Sequence, residues 1–62
     1  MSKPKCKLMG ENGNIFNLTS IAVLTLKKEG MNDKAEEMKK KIFESGSYNE
    51  ALKVIGEYVE IE

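Results

Sequence analysis

Glu11-Asn12-Gly13-Asn14-Ile15-Phe16-Asn17-Leu18 is the stretch whose reading decides the fold. Asn-Gly is the strongest short hairpin signal, because both residues tolerate the positive φ that a two-residue turn demands. Upstream, Cys6-Lys7-Leu8-Met9 alternates, which places Cys6 and Leu8 on one face of a strand. Downstream, Ile15-Phe16 is read as a short return strand. Asn17 then serves as a helix N-cap, its side chain accepting from a free amide of the first turn. Phe16 precedes that cap and faces Ile21 with the spacing of a hydrophobic staple.

Three helices are expected beyond this point. The first runs from about Leu18 to Glu29 and stops at Gly30. Its apolar positions Leu18, Ile21, Ala22, Val23, Leu24 and Leu26 cover more than one stripe. A helix so broadly apolar is either central in the fold or carries a face that another molecule covers. Asn32 or Asp33 caps the second helix, Asp33 forming a box-like pair with Glu36. Ala35, Met38, Ile42 and Phe43 make its inward face, with Met31 closing it at the start. Ser45-Gly46-Ser47 ends that helix, and Ser47 with Glu50 fits the capping box that opens the third. Tyr48, Ala51, Leu52 and Ile55 share one stripe of this helix, and Gly56 weakens its last turn.

The tail Tyr58-Val59-Glu60-Ile61-Glu62 alternates with period two, which suits a terminal strand beginning near Tyr58. Cys6 and Leu8 would face inward with Val59 and Ile61, while Lys5 and Lys7 meet Glu60 and Glu62 on the solvent side. Opposite charges across a ladder favour this pairing of the two ends. The rival reading continues the third helix through Tyr58 and Val59. The expected fold class is α+β: an N-terminal β-hairpin, three short α-helices and a C-terminal β-strand (ββαααβ), with a small three-stranded sheet. Residues 1–62 form one domain, and residues 1–4 are expected to be flexible.

Composition narrows the chemistry. A chain of 62 residues buries only about 60% of the surface its unfolded form exposes, enough for one small core. It contains ten Lys, no Arg, no His, ten acidic residues and a single Cys, for a formal net charge of zero. No apolar run approaches the length of a membrane span, and no apolar stretch follows Met1-Ser2-Lys3-Pro4-Lys5 as a secretory leader would require. Cys6 has no intramolecular partner, so the expected compartment is the cytoplasm. The ordinary reading of Cys6 is a small buried hydrophobe.

Metal sites lack ligands, since one Cys and no His cannot make a zinc or iron–sulfur set. Ser20, Ser45 and Ser47 have no histidine to activate them, and the five glycines form neither a dinucleotide fingerprint nor a Walker sequence. No catalytic residue, cofactor or metal is therefore expected. Lys39, Lys40 and Lys41 form the only basic run. With Lys53 they define an alternative nucleic-acid contact, and the first two helices could be forced into a helix–turn–helix. The missing arginine, the zero net charge and the neighbouring Glu36, Glu37 and Glu44 weigh against that reading. Protein contact is favoured instead, through Val23, Leu24, Leu26, Tyr48 and Tyr58. The occupant is an unidentified protein partner or a second copy of the chain.

The segments Asn14-Ile15-Phe16-Asn17-Leu18, Ala35-Glu36-Glu37-Met38 and Ser45-Gly46-Ser47-Tyr48-Asn49-Glu50-Ala51-Leu52 resemble those of small uncharacterised proteins of Gram-positive bacteria, some from prophages or conjugative elements. The resemblance implies no catalytic residue. What it implies is context: a small binder that modulates the machinery of a host or a mobile element. The expected function is thus a non-enzymatic accessory or regulatory protein-interaction module.

Overall fold

The computed structural model describes residues 3–62. Its elements are β1 (Lys5–Cys6), α1 (Ile15–Lys28), α2 (Asn32–Glu44), α3 (Tyr48–Tyr58) and β2 (Glu60–Ile61). The α+β class holds, but the hairpin and the three-stranded sheet do not. The order is βαααβ, and β1 and β2 form a two-stranded parallel sheet with Lys5 opposite Glu60 and Cys6 opposite Ile61. Parallel strands need a long crossover; here all three helices supply it.

The hairpin fails for a local reason. A two-residue turn of the expected kind needs positive φ at Asn12 and Gly13, whereas among the described residues only Gly10 (86°) and Gly30 (76°) have it. The chain turns earlier instead, at Leu8–Glu11, where the Glu11 amide donates to the Leu8 carbonyl at 3.2 Å and Gly10 takes the left-handed third position. Two asparagine side chains then satisfy backbone amides that a ladder would have needed. Asn12 Oδ1 accepts from Asn14 N at 2.9 Å, and Asn14 Oδ1 accepts from Phe16 N at 2.8 Å. Asn14, not Asn17, is therefore the N-cap of α1. The expected return strand Ile15-Phe16 is the first turn of that helix. Phe16 is consequently not a staple residue and stands largely in solvent.

Gly30 ends α1 in a Schellman arrangement. Its amide donates to Lys27 O at 3.0 Å and the next amide, of Met31, reaches back to Leu26 O at 2.8 Å. The expected cap of α2 at Asn32 or Asp33 is not used; Met31 occupies the cap position without a side-chain hydrogen bond. At α3 the Ser47 hydroxyl accepts from Glu50 N at 3.2 Å, and the Glu50 carboxylate accepts from Gly46 N at 2.8 Å. That is the expected capping box moved back by one amide. The third helix continues through Tyr58, and the strand starts at Glu60 rather than at Tyr58.

The two chain ends close the fold. Glu60 N donates to Pro4 O and Glu62 N to Cys6 O, while the amides of Leu8 and Met9 share Glu62 O. Cys6, Leu8 and Val59 face the helices and are buried, but Ile61 is 40% exposed, contrary to its expected inward position. Lys5 and Glu62 lie 3.9 Å apart on the solvent side. Residues 1 and 2 of the expected flexible leader lie outside the described residues. Lys3 donates to Gly56 O at 2.7 Å, and Pro4 accepts the Glu60 bond just noted. The core gathers Cys6, Leu8, Leu18, Ala22, Leu26, Ala35, Met38, Ile55, Tyr58 and Val59 into one cluster. None of the described helices is long and apolar enough to cross a membrane.

Candidate docking groove

Three helix ends meet at one side of the fold. The first turns of α1 (Ile15, Phe16, Thr19, Ser20), the last turns of α2 (Lys39, Ile42, Phe43) and the start of α3 (Tyr48, Ala51) enclose a groove of about 520 Å³. The linker Ser45-Gly46-Ser47 completes the lining. The Tyr48 hydroxyl donates to the Gly13 carbonyl, so the N-termini of α1 and α3 are fastened together. Ser45 Oγ donates to Ile42 O at 2.6 Å and stops α2 at the groove's edge.

Aromatic rings dominate the lining. Phe43 is 82% exposed, Phe16 74% and Tyr48 45%. Phe43 is read from sequence as part of the inward face of α2, and the structure overturns that. At 100° per residue, Ala35, Met38 and Ile42 already point one way, and Phe43 lies about 100° further round. Ala35 and Met38 are buried and Ile42 is half-buried, as their shared direction requires. Neither Phe16 nor Phe43 is among the residues the sequence proposes for contact. Their signal was available: each falls outside the stripe of its own helix once the true cap is set.

The groove is electrically quiet. Lys39, its one charged lining residue, pairs with Glu36 at 3.1 Å. The N-terminus of α3 is already answered by Glu50. The Thr19 hydroxyl, buried in the wall, has no hydrogen-bond partner.

The sequence-derived contact residues divide. Leu26 is fully buried and Tyr58 is buried, so both belong to the core. Val23 is half-buried against it. Leu24 is 67% exposed on α1 but does not line the groove, and only Tyr48 does. The lysines divide as well. Consecutive residues fan around a helix, so Lys39 and Lys41 face different ways. Lys41 lies 3.8 Å from Glu57 and 5.4 Å from the centroid of the Tyr58 ring. Lys40 and Lys53 are exposed.

Tyr58 joins α3 to α2 by donating to the Glu37 carboxylate. That bond, with Lys34 nearby, holds the Glu37 carboxyl below the usual carboxylate range. Burial, and then the bond to Glu37, push the Tyr58 phenol above its ordinary value. The neighbouring Tyr58 raises Lys41. A phenol kept protonated in this way is a hydrogen-bond donor linking two helices. No group of His, Cys, Asp and Glu among the described residues is placed to hold a metal.

Compared with family models, curated proteins and solved structures, the chain matches none.

Proposed function

We propose that this chain is a non-enzymatic accessory or regulatory module that works by docking protein on the groove between α1, α2 and α3. One observation carries the reading: Phe16, Phe43 and Tyr48 line the same concave surface, with Phe16 and Phe43 largely in solvent and Tyr48 nearly half so. Large exposed rings around a groove are what interface anchors look like, and the groove's internal charge pairing leaves apolar contact as its main means of recognition. The proposed context, an accessory factor of a mobile genetic element, rests on the resemblance carried by the three segments named earlier.

The test is selection of binders from a random peptide display library against the folded domain. Clones are then rescreened against Phe43→Ser and against a Lys40→Ala/Lys53→Ala variant. Binders that lose affinity with Phe43→Ser, keep it with the lysine variant and tolerate raised salt support the docking reading. If no clone depends on Phe43, and labelled random duplex DNA instead binds with a steep salt dependence that the lysine variant weakens, the reading is wrong.

A further inference from the structure

We propose that the occupant of this groove is a second copy of the same chain, seated across a two-fold axis so that each Phe43 packs into its partner's groove. The inference rests on the docking reading above and narrows it to one partner.

Area is the first argument. A Phe or Tyr side chain offers about 150–250 Å², so exposures of 82%, 74% and 45% at Phe43, Phe16 and Tyr48 leave about 400 Å² of ring surface in one place. A standard interface covers about 800 Å² per partner. In homodimers about 65% of that is apolar, or roughly 500 Å². The three rings supply most of it, and the half-buried Ile15 and Ile42 flank them.

Shape and charge point the same way. A two-fold interface uses one patch twice, so the patch must be complementary to itself. This one combines an exposed ring, Phe43, with a lining of small residues, the buried Ala51 and the Ser45-Gly46-Ser47 linker. Its one charged lining residue, Lys39, is already paired with Glu36, and the neighbouring Glu50 carboxylate already accepts from the Gly46 amide. Nothing there selects a charged partner, and a net charge of zero sets up no long-range repulsion between copies. A domain of this size gains stability from association when it has no disulfide staple, and a single Cys cannot make one within the chain.

Sedimentation equilibrium across a wide concentration range tests this, using the full chain, Phe43→Ser, Phe16→Ser and Leu24→Ser. Leu24→Ser removes an exposed apolar side chain away from the groove. The wild type is expected to pass from monomer to dimer. Phe43→Ser should weaken dimerisation about thirty-fold or more, as a central anchor does, Phe16→Ser should also weaken it, and Leu24→Ser should leave it unchanged. Circular dichroism confirms that each variant is folded, which the exposure of all three positions favours. A wild type that stays monomeric at its solubility limit overturns the inference, as does a dimer that survives both Phe substitutions or dissociates with Leu24→Ser. A monomer that still selects Phe43-dependent peptides would sink the second copy alone and leave the docking reading standing. A monomer that selects none removes both.

Discussion

Leu26→Ala and Leu24→Ala should differ sharply, although the residues are two apart on the same helix. Leu26 is fully enclosed and Leu24 is 67% exposed, because two positions on a helix are separated by about 200°. Emptying a sealed leucine site costs about 3 kcal/mol, from lost burial and the cavity left behind. A 62-residue domain has roughly 3–9 kcal/mol in total, so Leu26→Ala removes a third of the stability or all of it. With a urea m-value near 1 kcal/mol/M, the midpoint falls by about 3 M. Leu24→Ala replaces a solvated side chain with the best helix former, so its effect stays within about 0.5 kcal/mol. Urea titrations followed by far-UV circular dichroism, at one fixed low concentration, read both. Leu26→Met keeps the volume and costs less than about 1.5 kcal/mol, which provides a folded comparison if the alanine variant melts outright. Equal losses at positions 24 and 26 would refute the orientation of α1.

Three further outcomes follow from single contacts. Ser47→Ala removes the acceptor for Glu50 N and should cost about 1 kcal/mol in the same titration, with Ser47→Asp restoring most of it. Gly30→Ala meets open space but must hold φ near 76°, so it destabilises by about 1 kcal/mol, and a gain in stability would contradict the left-handed turn. The third concerns pH. Glu37 is lowered from an ordinary 4.5 in the folded chain, so its contribution is present above 4.5 and lost as pH falls through the folded value. Tyr58 and Lys41 are raised from 10.0 and 10.5, so theirs is present below those values and lost as pH rises through the folded ones. Stability should therefore fall at both extremes, and Tyr58→Phe should flatten both flanks. Ultraviolet titration of a Tyr48→Phe variant, which isolates Tyr58, should show its phenol ionising above 10.

The boundaries that could be read from sequence are those fixed by chemistry within a few residues. Ser47 and Glu50 mark the start of α3 because a hydroxyl and a carboxylate can reach its first amides without help from the rest of the chain. Gly30 ends α1 because the left-handed position costs a residue without Cβ almost nothing. That the two ends pair was legible from their opposite charges, Lys5 lying 3.9 Å from Glu62, whereas the alternation wrongly turned Ile61 inward. The Asn12-Gly13 signal failed because asparagine has two local uses. Its backbone tolerates a tight turn, and its side chain equally well caps an amide two residues on. Three asparagines at positions 12, 14 and 17 give the second use the advantage. Asn12 and Asn14 each accept from an amide, and the Asn17 side chain donates to Asn12 O at 2.9 Å. Once Asn14 caps α1, no residues remain to form a return strand.

The misplacement of that cap by three residues also hid the groove. With Asn17 as the cap, Phe16 precedes the helix and folds back as a staple; with Asn14, it becomes the second residue of α1 and turns outward. The same displacement extends α1 by most of a turn, and it is this added turn that meets Tyr48 and the end of α2. Phe43 was lost differently, because a four-residue apolar set on α2 looks like one face until the angles are separated. In both cases a side chain that the fold could not hide was read as packed, Phe16 on Ile21 and Phe43 in the inward face of α2, since hydrophobicity alone gives no sign of whether a ring is covered by its own chain or by another. Of the exposed surplus expected on α1 at Val23, Leu24 and Leu26, only Leu24 is exposed, and the larger exposed rings, Phe16 and Phe43, lie at helix ends. The surface on which the proposed function depends is thus built from residues whose local pattern resembled packing, and the correct caps with the angles within each helix separate the two.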